Sequence, residues 1–220
     1  MSPTYVLRYF PVIGLAESSR MLLDAAKVEW IEENPEWPAE KEKQPFGRLP
    51  VLIEKSEDES PDFVISESGN IERYLARTYG FLPADLKQAA LQEQLHDQVT
   101  DVVITLFSWM KAKSDEEKKD RKEKYNAIAA RLLKELTRLL KKNGSTGRLF
   151  GNNLSYADIV IYASYKAIIS DIPTRFPAFA DAANLELSPE LITLFKTVEA
   201  DPLVTKRASA VDSLVAAISA

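Results

Sequence analysis

Short runs of apolar residues dominate the first eighty positions, and apolar residues at helical spacing dominate the rest. TYVLRYF, residues 4–10, predicts a strand, and the turn PVIG follows it. Leu15, Ser19, Leu22 and Ala26 then recur at helical spacing, with Met21 and Ala25 beside them. KVEWIEE and LPVLIE predict a second and a third strand, and FVIS a fourth after the polar loop EKSEDESPD. IERYLARTYG predicts a helix, with Gly80 where a helix C-terminus favours glycine.

The resulting order is β-α-β, an irregular stretch, then β-β-α, which is the thioredoxin-like order of a small mixed sheet with helices on its faces. After Gly80 the strand signal stops. Leu91, Leu95, Val99, Val102, Leu106 and Trp109 form one helical stripe; Tyr125, Ile128, Leu132, Leu136 and Leu139 form a second. Val204, Ala208, Val211, Val215 and Ile218 form a third. The expectation is an α+β chain: a thioredoxin-like domain over residues 1–80 and an all-helical bundle over residues 86–220. Between the first two long helices, KAKSDEEKKDRKEK at 111–124 interleaves acids with its lysines. It predicts a turn with solvated helix ends rather than a basic docking patch.

Composition narrows the chemistry. The chain has 220 residues, 45% of them hydrophobic and 28% charged, as in ordinary globular proteins. A net charge of −5 argues against a nucleic-acid footprint. No apolar run is long enough to span a membrane, and MSPTYVLRYF lacks the basic and apolar regions of a signal peptide. A cytoplasmic location is the expectation. There is no cysteine and a single histidine, His96, so thiolate nucleophiles, disulfides and His-rich metal sites are excluded. Acid–base work falls to Tyr, Ser, Arg, Lys and carboxylates.

Three local features carry chemistry. In GRLPVLIE, residues 47–54, a proline stands immediately before an apolar strand, where it has no ladder bond to donate. The ordinary reading is a trans proline that opens the strand, since only about one X–Pro bond in twenty is cis. A cis Leu49–Pro50 bond would instead leave the Leu49 N–H and C=O facing outward for an extended peptide. In VISESGNIERYL, residues 64–75, Ser66, Glu67 and Ser68 stand at a helix start, where such residues cap free N–H groups. The same N–H groups and the Ser68 hydroxyl suit a ligand carboxylate, with Glu67 placed for an ammonium. A zwitterionic amino-acid end fits that pair. In LSYADIVIYASY, Ser155-x-x-Asp158 is a capping box, which is structural. Strand alternation sets Tyr9 with Leu7 and Tyr5, opposite Val6, Arg8 and Phe10; alone it reads as a core or rim tyrosine.

Taken together, the ordered set resembles a cytosolic glutathione transferase over nearly the whole chain. TYVLRYFPVIGLAE is similar to the Tyr-type classes (alpha, mu, pi, sigma), because the turn holds neither the serine nor the cysteine of the other types. The resemblance implies that Tyr9 hydrogen-bonds the glutathione sulfur. Leu49 would pair with the cysteinyl portion, with Pro50 as a cis proline, and Glu67 and Ser68 would hold the γ-glutamyl end. Trp37 and Lys41 or Lys43 resemble the contacts to the glycine end, and Asp101 falls where these classes reach across a dimer. Phe46 resembles the aromatic key that enters the partner subunit. Phe10, Val12, Phe107 and Met110 are candidate walls for an apolar electrophile. Two departures stand out: Leu15 follows the turn glycine where arginine is frequent, and Arg48 replaces the more usual Gln or Lys.

The implied partners are glutathione as co-substrate, small hydrophobic electrophiles and a second copy of the chain, with no cofactor, metal, nucleic acid or membrane. The implied chemistry is thioether formation by a thiolate whose pKa the Tyr9 hydroxyl lowers. Lens-type crystallins and ligand carriers use the same fold without catalysis, and glutathione-dependent isomerases and peroxidases use it with the same thiol. A thiol–disulfide oxidoreductase on this fold would need a cysteine, which the chain lacks.

Overall fold

A computed structural model describes residues 4–56 and 60–211. Strand β1 (Tyr5–Arg8) lies inside a four-stranded sheet of order β2-β1-β3-β4. It pairs in parallel with β2 (Trp30–Glu33) and antiparallel with β3 (Val51–Glu54), which pairs antiparallel with β4 (Phe63–Ser66). The parallel neighbour requires a crossover, supplied by α1 (Glu17–Ala26). Alternation along the strands sorts the side chains. Tyr5, Leu7, Tyr9 and Leu52 enter the main core, and Val6, Val51 and Ile53 form a small cluster of their own.

Helix α1 packs against both α2 (Ser68–Thr78) and α5 (Tyr156–Lys166). It is therefore buried on almost every side, and even Ser18, Ser19 and Arg20 are inside. The predicted stripe begins one turn too early. Gly14–Ala16 is a short 3₁₀ turn, whose tighter winding rotates Leu15 out of the stripe and leaves it 41% exposed.

The second half is helical: α3 (Leu86–Met110), α4 (Asp115–Lys142), α5, a π-helical turn (Ala167–Asp171), α6 (Ile172–Arg175), a 3₁₀ segment (Pro177–Ala183) and α7 (Pro189–Glu199). Residues 205–211 are helical as well. The α3 stripe is buried from Leu95 to Trp109, but Leu91 is exposed. At that turn Ala89 and Gln92 face inward instead, and the Gln92 Oε1 accepts the Ala157 N–H at 3.3 Å. In the C-terminal stripe Val204, Ala208 and Val211 are buried, while Val215 and Ile218 lie outside the described residues. In the charged stretch at 111–124 residues 111–114 form the turn and the rest opens α4, capped by Ser114, which accepts from the Glu117 N–H. Asp115, Glu116 and Glu117 then occupy the first turn of α4, where the helix dipole favours acids.

Helix α5 is the hub of the bundle, buried from Tyr156 to Ala163. Its capping box is complete: Asp158 accepts from the Ser155 N–H at 3.0 Å, and Ser155 Oγ accepts from the Asp158 N–H. The other Asp158 oxygen accepts the Leu149 N–H at 2.8 Å and so ties in the preceding loop. Tyr156 donates its N–H to the Phe81 carbonyl at 3.0 Å, tying α5 to the segment after α2. Among the described residues no helix is long and apolar enough to cross a membrane.

Candidate active site

Tyr9 follows β1 directly, and its N–H still pairs with the Glu33 carbonyl at 3.0 Å. The ring is core, with 7% of the residue exposed, and the hydroxyl reaches the turn, where it accepts the Leu15 N–H at 2.9 Å. That bond uses an oxygen lone pair and leaves the phenolic proton free to be donated elsewhere. Burial pushes the Tyr9 pKa up, and the Leu15 N–H and the nearby Arg20 and Arg175 pull against it. At neutral pH the group is a protonated donor. Gly14 permits the approach: its φ is +46°, and a Cβ there would stand 2.6 Å from the Tyr9 oxygen.

Arg20 holds the turn in shape. Its fully buried guanidinium donates to the carbonyls of Phe10 at 3.1 Å, Val12 at 2.7 Å and Ile13 at 3.0 Å. It also pairs with Glu17 at 3.0 Å and with Glu32, and it lies 5.5 Å from the centre of the Tyr9 ring. Glu17 in turn takes a two-pronged bond from Arg207, at 2.7 and 2.8 Å. The turn beside Tyr9 is thus fixed from α1 and from the C-terminal helical segment together. Arg20 is not among the candidates that the sequence pattern singles out, although a charge inside the apolar run SSRMLL is an available signal.

The Leu49–Pro50 bond is cis, contrary to the ordinary expectation for a proline, and Trp37–Pro38 is cis too. No hydrogen bond engages the Leu49 N–H or C=O among the described residues. Glu67, before α2, has a φ of 69° and a ψ of 116°, a backbone region that side-chain-bearing residues rarely occupy. Its carbonyl receives the N–H groups of Asn70 and Ile71, while those of Ser68 and Gly69 have no protein partner among the described residues. Both free N–H groups belong to the positive end of an eleven-residue helix.

A cavity of about 550 Å³ joins these parts. Tyr9, Gly14, Leu15, Arg48, Glu67 and Ser68 line its sheet side. Val103, Ile104 and Phe107 of α3, Val160 of α5 and the segment from Ile168 to Phe176 line its helical side. Phe10 and Val12 lie on the wall as well. Met110 does not: the last turn of α3 carries it into the second core cluster, beside Trp109 and Tyr125. Trp37 stands edge-on to Phe10 with ring centres 5.6 Å apart, just outside the cavity. Lys41 is exposed with its stem beside Gly47, and Lys43 is exposed and paired with Glu40 at 3.3 Å. Asp101 is exposed and takes no part in the cavity of its own chain. Phe46 is 82% exposed with a φ of 53°, held out from the chain by its own backbone.

Four charged or ionisable wall residues, Glu72, His96, Asp171 and Arg175, carry roles the sequence did not reveal. Glu72, 3% exposed, accepts from the Tyr156 hydroxyl at 3.3 Å and lies 3.4 Å from His96 Nε2. Burial pushes Glu72 up to about 8 and His96 down, so both rest uncharged at neutral pH. Asp171 and Arg175 form an ion pair at 3.3 Å in the helical wall, and burial raises the Asp171 pKa against the pull of Arg175.

Comparison with known proteins agrees with this geometry. Residues 5–77 match the family described as Glutathione S-transferase, N-terminal domain, and residues 100–206 match Glutathione S-transferase, C-terminal domain. The chain is 31% identical to Glutathione S-transferase 1 of Ascaris suum over 77% of its length and 84% of that protein. It is 30% identical to the hematopoietic prostaglandin D synthase of Gallus gallus, over 81% of this chain and 89% of the other. The crystal structure of the glutathione S-transferase from Ascaris lumbricoides superposes with a TM-score of 0.72 at 27% identity, covering 94% of this chain and 97% of that one. With both of its domains matched in order, the chain belongs to the glutathione S-transferase family.

Proposed function

We propose that this protein conjugates the glutathione thiolate to apolar electrophiles, with the Tyr9 hydroxyl as donor to the sulfur. The observation that carries the reading is the Tyr9 hydroxyl itself. It is fixed by the Leu15 N–H at 2.9 Å, keeps its proton available, and opens on the same cavity as Glu67 and Ser68. An ordinary thiol of pKa about 8.5 is only a few per cent ionised at pH 7. A hydrogen bond that lowers it by about two pH units, roughly 2.7 kcal/mol, makes the thiolate the majority form.

The remaining parts fit a tripeptide laid along the cleft. The free Leu49 N–H and C=O suit the cysteinyl backbone, as an added strand would. The N–H groups of Ser68 and Gly69 suit the γ-glutamyl carboxylate, and Glu67 suits its ammonium. Trp37 with Lys41 or Lys43 closes the glycine end, Lys41 the better placed because Lys43 is already paired. Residues 1–80 act as the glutathione-binding domain, and residues 86–220 supply the electrophile wall with Phe107, facing Phe10 and Val12. Phe46, too exposed to rest in water without cost, serves as a contact in a homodimer, where Asp101 reaches the partner's glutathione. The protein works in the cytoplasm, where a chain without cysteine has no need of an oxidising compartment.

The test is conjugation of glutathione to a chloronitroarene, in wild type and Tyr9→Phe, with binding to immobilised glutathione. The expected loss near pH 7 is about 25-fold, the ratio of thiolate fractions at pKa about 6.5 and 8.5. Full activity in Tyr9→Phe removes Tyr9 from the mechanism, and no binding with no turnover in wild type removes the enzyme. A glutathione-dependent isomerase is a second reading, favoured by the similarity to the prostaglandin D synthase of Gallus gallus, and it would use the same thiolate.

A further inference from the structure

Glu17 stands in the first turn of α1, fully buried, and two cations close on it. Arg20, three residues on, donates from Nη1 to Glu17 Oε2 at 3.0 Å. Arg207 comes from the C-terminal helical segment, 190 residues away along the chain. It donates to both Glu17 oxygens, from Nε to Oε1 at 2.7 Å and from Nη2 to Oε2 at 2.8 Å. The other N–H groups of Arg20 go to Glu32 and to the carbonyls of Phe10, Val12 and Ile13, so all three of its nitrogens are engaged. Arg207 does not line the cavity, yet it is two bonds away from the turn that carries Tyr9.

The cluster is balanced in charge: Arg20 and Arg207 stand against Glu17 and Glu32. Asp24, the other acid that acts on Arg207, is held by Trp30 Nε1 at 2.8 Å. The balance is felt in the cavity. Arg20 lies 5.5 Å from the centre of the Tyr9 ring, and Arg20 and Glu17 act with opposite signs on Asp171 in the helical wall. Asp171 and Arg175 act on the Tyr9 hydroxyl with opposite signs as well, so they add little net field there. Without Arg207 the cluster holds one negative charge in excess, and Glu17 draws on Arg20 alone, away from the turn carbonyls. Both changes disfavour an anion beside Tyr9.

We propose that Arg207 is a positioning residue for thiolate formation: through Glu17 and Arg20 it holds the turn against Tyr9 and keeps the charge beside the sulfur balanced. The inference rests on the transferase reading and adds the C-terminal segment to the parts that prepare the thiol. Because Arg207 stands outside the cavity, its effect falls on the ionisation of bound glutathione and not on the fit of the electrophile. The charge balance gives this role a signature. Arg207→Leu leaves the cluster one unit too negative, and Glu17→Gln added to it restores neutrality although the pair is then gone altogether. A pair that only held the helices together would lower stability in both proteins and leave the thiol unchanged.

The experiment titrates the ultraviolet absorbance of the thiolate of bound glutathione, and kcat/KM with a chloronitroarene, against pH. The proteins are wild type, Arg207→Leu, Arg207→Lys and the double variant Arg207→Leu with Glu17→Gln. Arg207→Leu is expected to raise the pKa of the bound thiol by about 0.5–1 unit. Its kcat/KM then falls about three- to tenfold at about pH 5.5, and the difference closes above about pH 8.5, where the thiol is ionised in both proteins. Lysine keeps the charge with a single bond and recovers most of the shift. The double variant moves the thiol back toward wild type. Arg207→Gln takes the place of the leucine variant if that one does not fold. A thiol pKa in Arg207→Leu equal to that of wild type, whatever its Tm, overturns this inference alone, as does a double variant shifted further than Arg207→Leu. No thiolate absorbance and no turnover in wild type, together with no binding to immobilised glutathione, overturns the transferase reading and this inference with it.

Discussion

Glu72→Gln is expected to stabilise the protein, and more so as pH rises. Glu72 lies in the seam between α2, α1 and α5, 3% exposed, with the Tyr156 hydroxyl at 3.3 Å and His96 Nε2 at 3.4 Å. Burial moves its pKa from 4.5 to about 8, against the pull of hydrogen bonds from Tyr156 and Ser18 and of the Arg73 charge. In the unfolded chain the carboxyl loses its proton near 4.5; in the native state it keeps it until about 8. Between those values the native state binds one more proton than the unfolded state. The contribution of Glu72 to stability is therefore full below 4.5 and is lost as pH rises toward 8. At about 1.4 kcal/mol per pH unit the whole loss is about 5 kcal/mol, of which about 3 falls between pH 5.5 and 8.

The glutamine side chain is a neutral isostere that still accepts the Tyr156 hydroxyl, so the variant escapes this loss. The stability difference, variant minus wild type, grows by about 3 kcal/mol from pH 5.5 to 8, or a Tm difference widening by roughly 6–12 °C. Water penetration on ionisation relieves part of the burial and makes these upper values. Urea unfolding followed by the fluorescence of the three tryptophans measures it. His96 has the opposite slope: its lowered pKa costs stability as pH falls below the ordinary 6.5. Being present in both proteins, it cancels to first order in the difference. A difference that stays flat with pH refutes the reasoning, because Glu72 then ionises in the native state as an exposed acid does. A difference that shrinks with rising pH would mean an ionic Glu72–His96 pair.

The other expectations address the turn beside Tyr9 and the helical hub. Gly14→Ala places a Cβ 2.6 Å from the Tyr9 oxygen at a φ of +46°, which displaces the hydroxyl from Leu15 N–H. It should cost about 1–2 kcal/mol in stability and about tenfold in kcat/KM, with the absorbance of bound thiolate titrating at higher pH; a wild-type titration would show that the turn is not what places the hydroxyl. Asp158→Ala strips acceptors from the buried N–H groups of Leu149 and Ser155 and should lower stability by about 3 kcal/mol or more in urea unfolding. The folded fraction of that variant should keep its kcat/KM, since Asp158 does not line the cavity. A loss in urea below about 1 kcal/mol would mean that water replaces the carboxylate.

Residues whose meaning is local are legible in the sequence itself. The capping box of α5 is a four-residue pattern, and the strand runs of the first half are period-two patterns. Each predicts the element found, because the capping bonds close within four residues and side-chain alternation is a property of the extended backbone itself, although the ladder partners of each strand are distant. The errors at Leu15 and Leu91 come from extending a helical stripe by one turn past the packing that maintains it. At Leu15 a 3₁₀ turn intervenes, and at Leu91 the partner helix faces Gln92 instead. The cis Leu49–Pro50 bond lies outside what periodicity reports, and only the family resemblance points to it.

The charged residues show where local pattern stops being informative. In the sequence Arg20, Glu72 and Arg175 are visible only as ionisable side chains in or beside apolar runs. The same pattern describes a solvated helix face, a folding error or a buried site. Their partners decide among these, and most of them lie outside any local pattern: Tyr156 for Glu72, and Glu32 with the carbonyls of Phe10, Val12 and Ile13 for Arg20; for Arg175 the pair with Asp171 is local, and its place on the cavity shared with Tyr9 is not. Arg20 and Glu72 are buried, and burying either without those partners would be costly enough to unfold a marginal protein. Two are matched by neighbours drawn from the sheet, the turn and the bundle, and Arg175 by Asp171 on one side only. The free N–H groups of Arg175 are thus the part of the charge arrangement that folding does not use, on the wall of the cavity that also holds Tyr9.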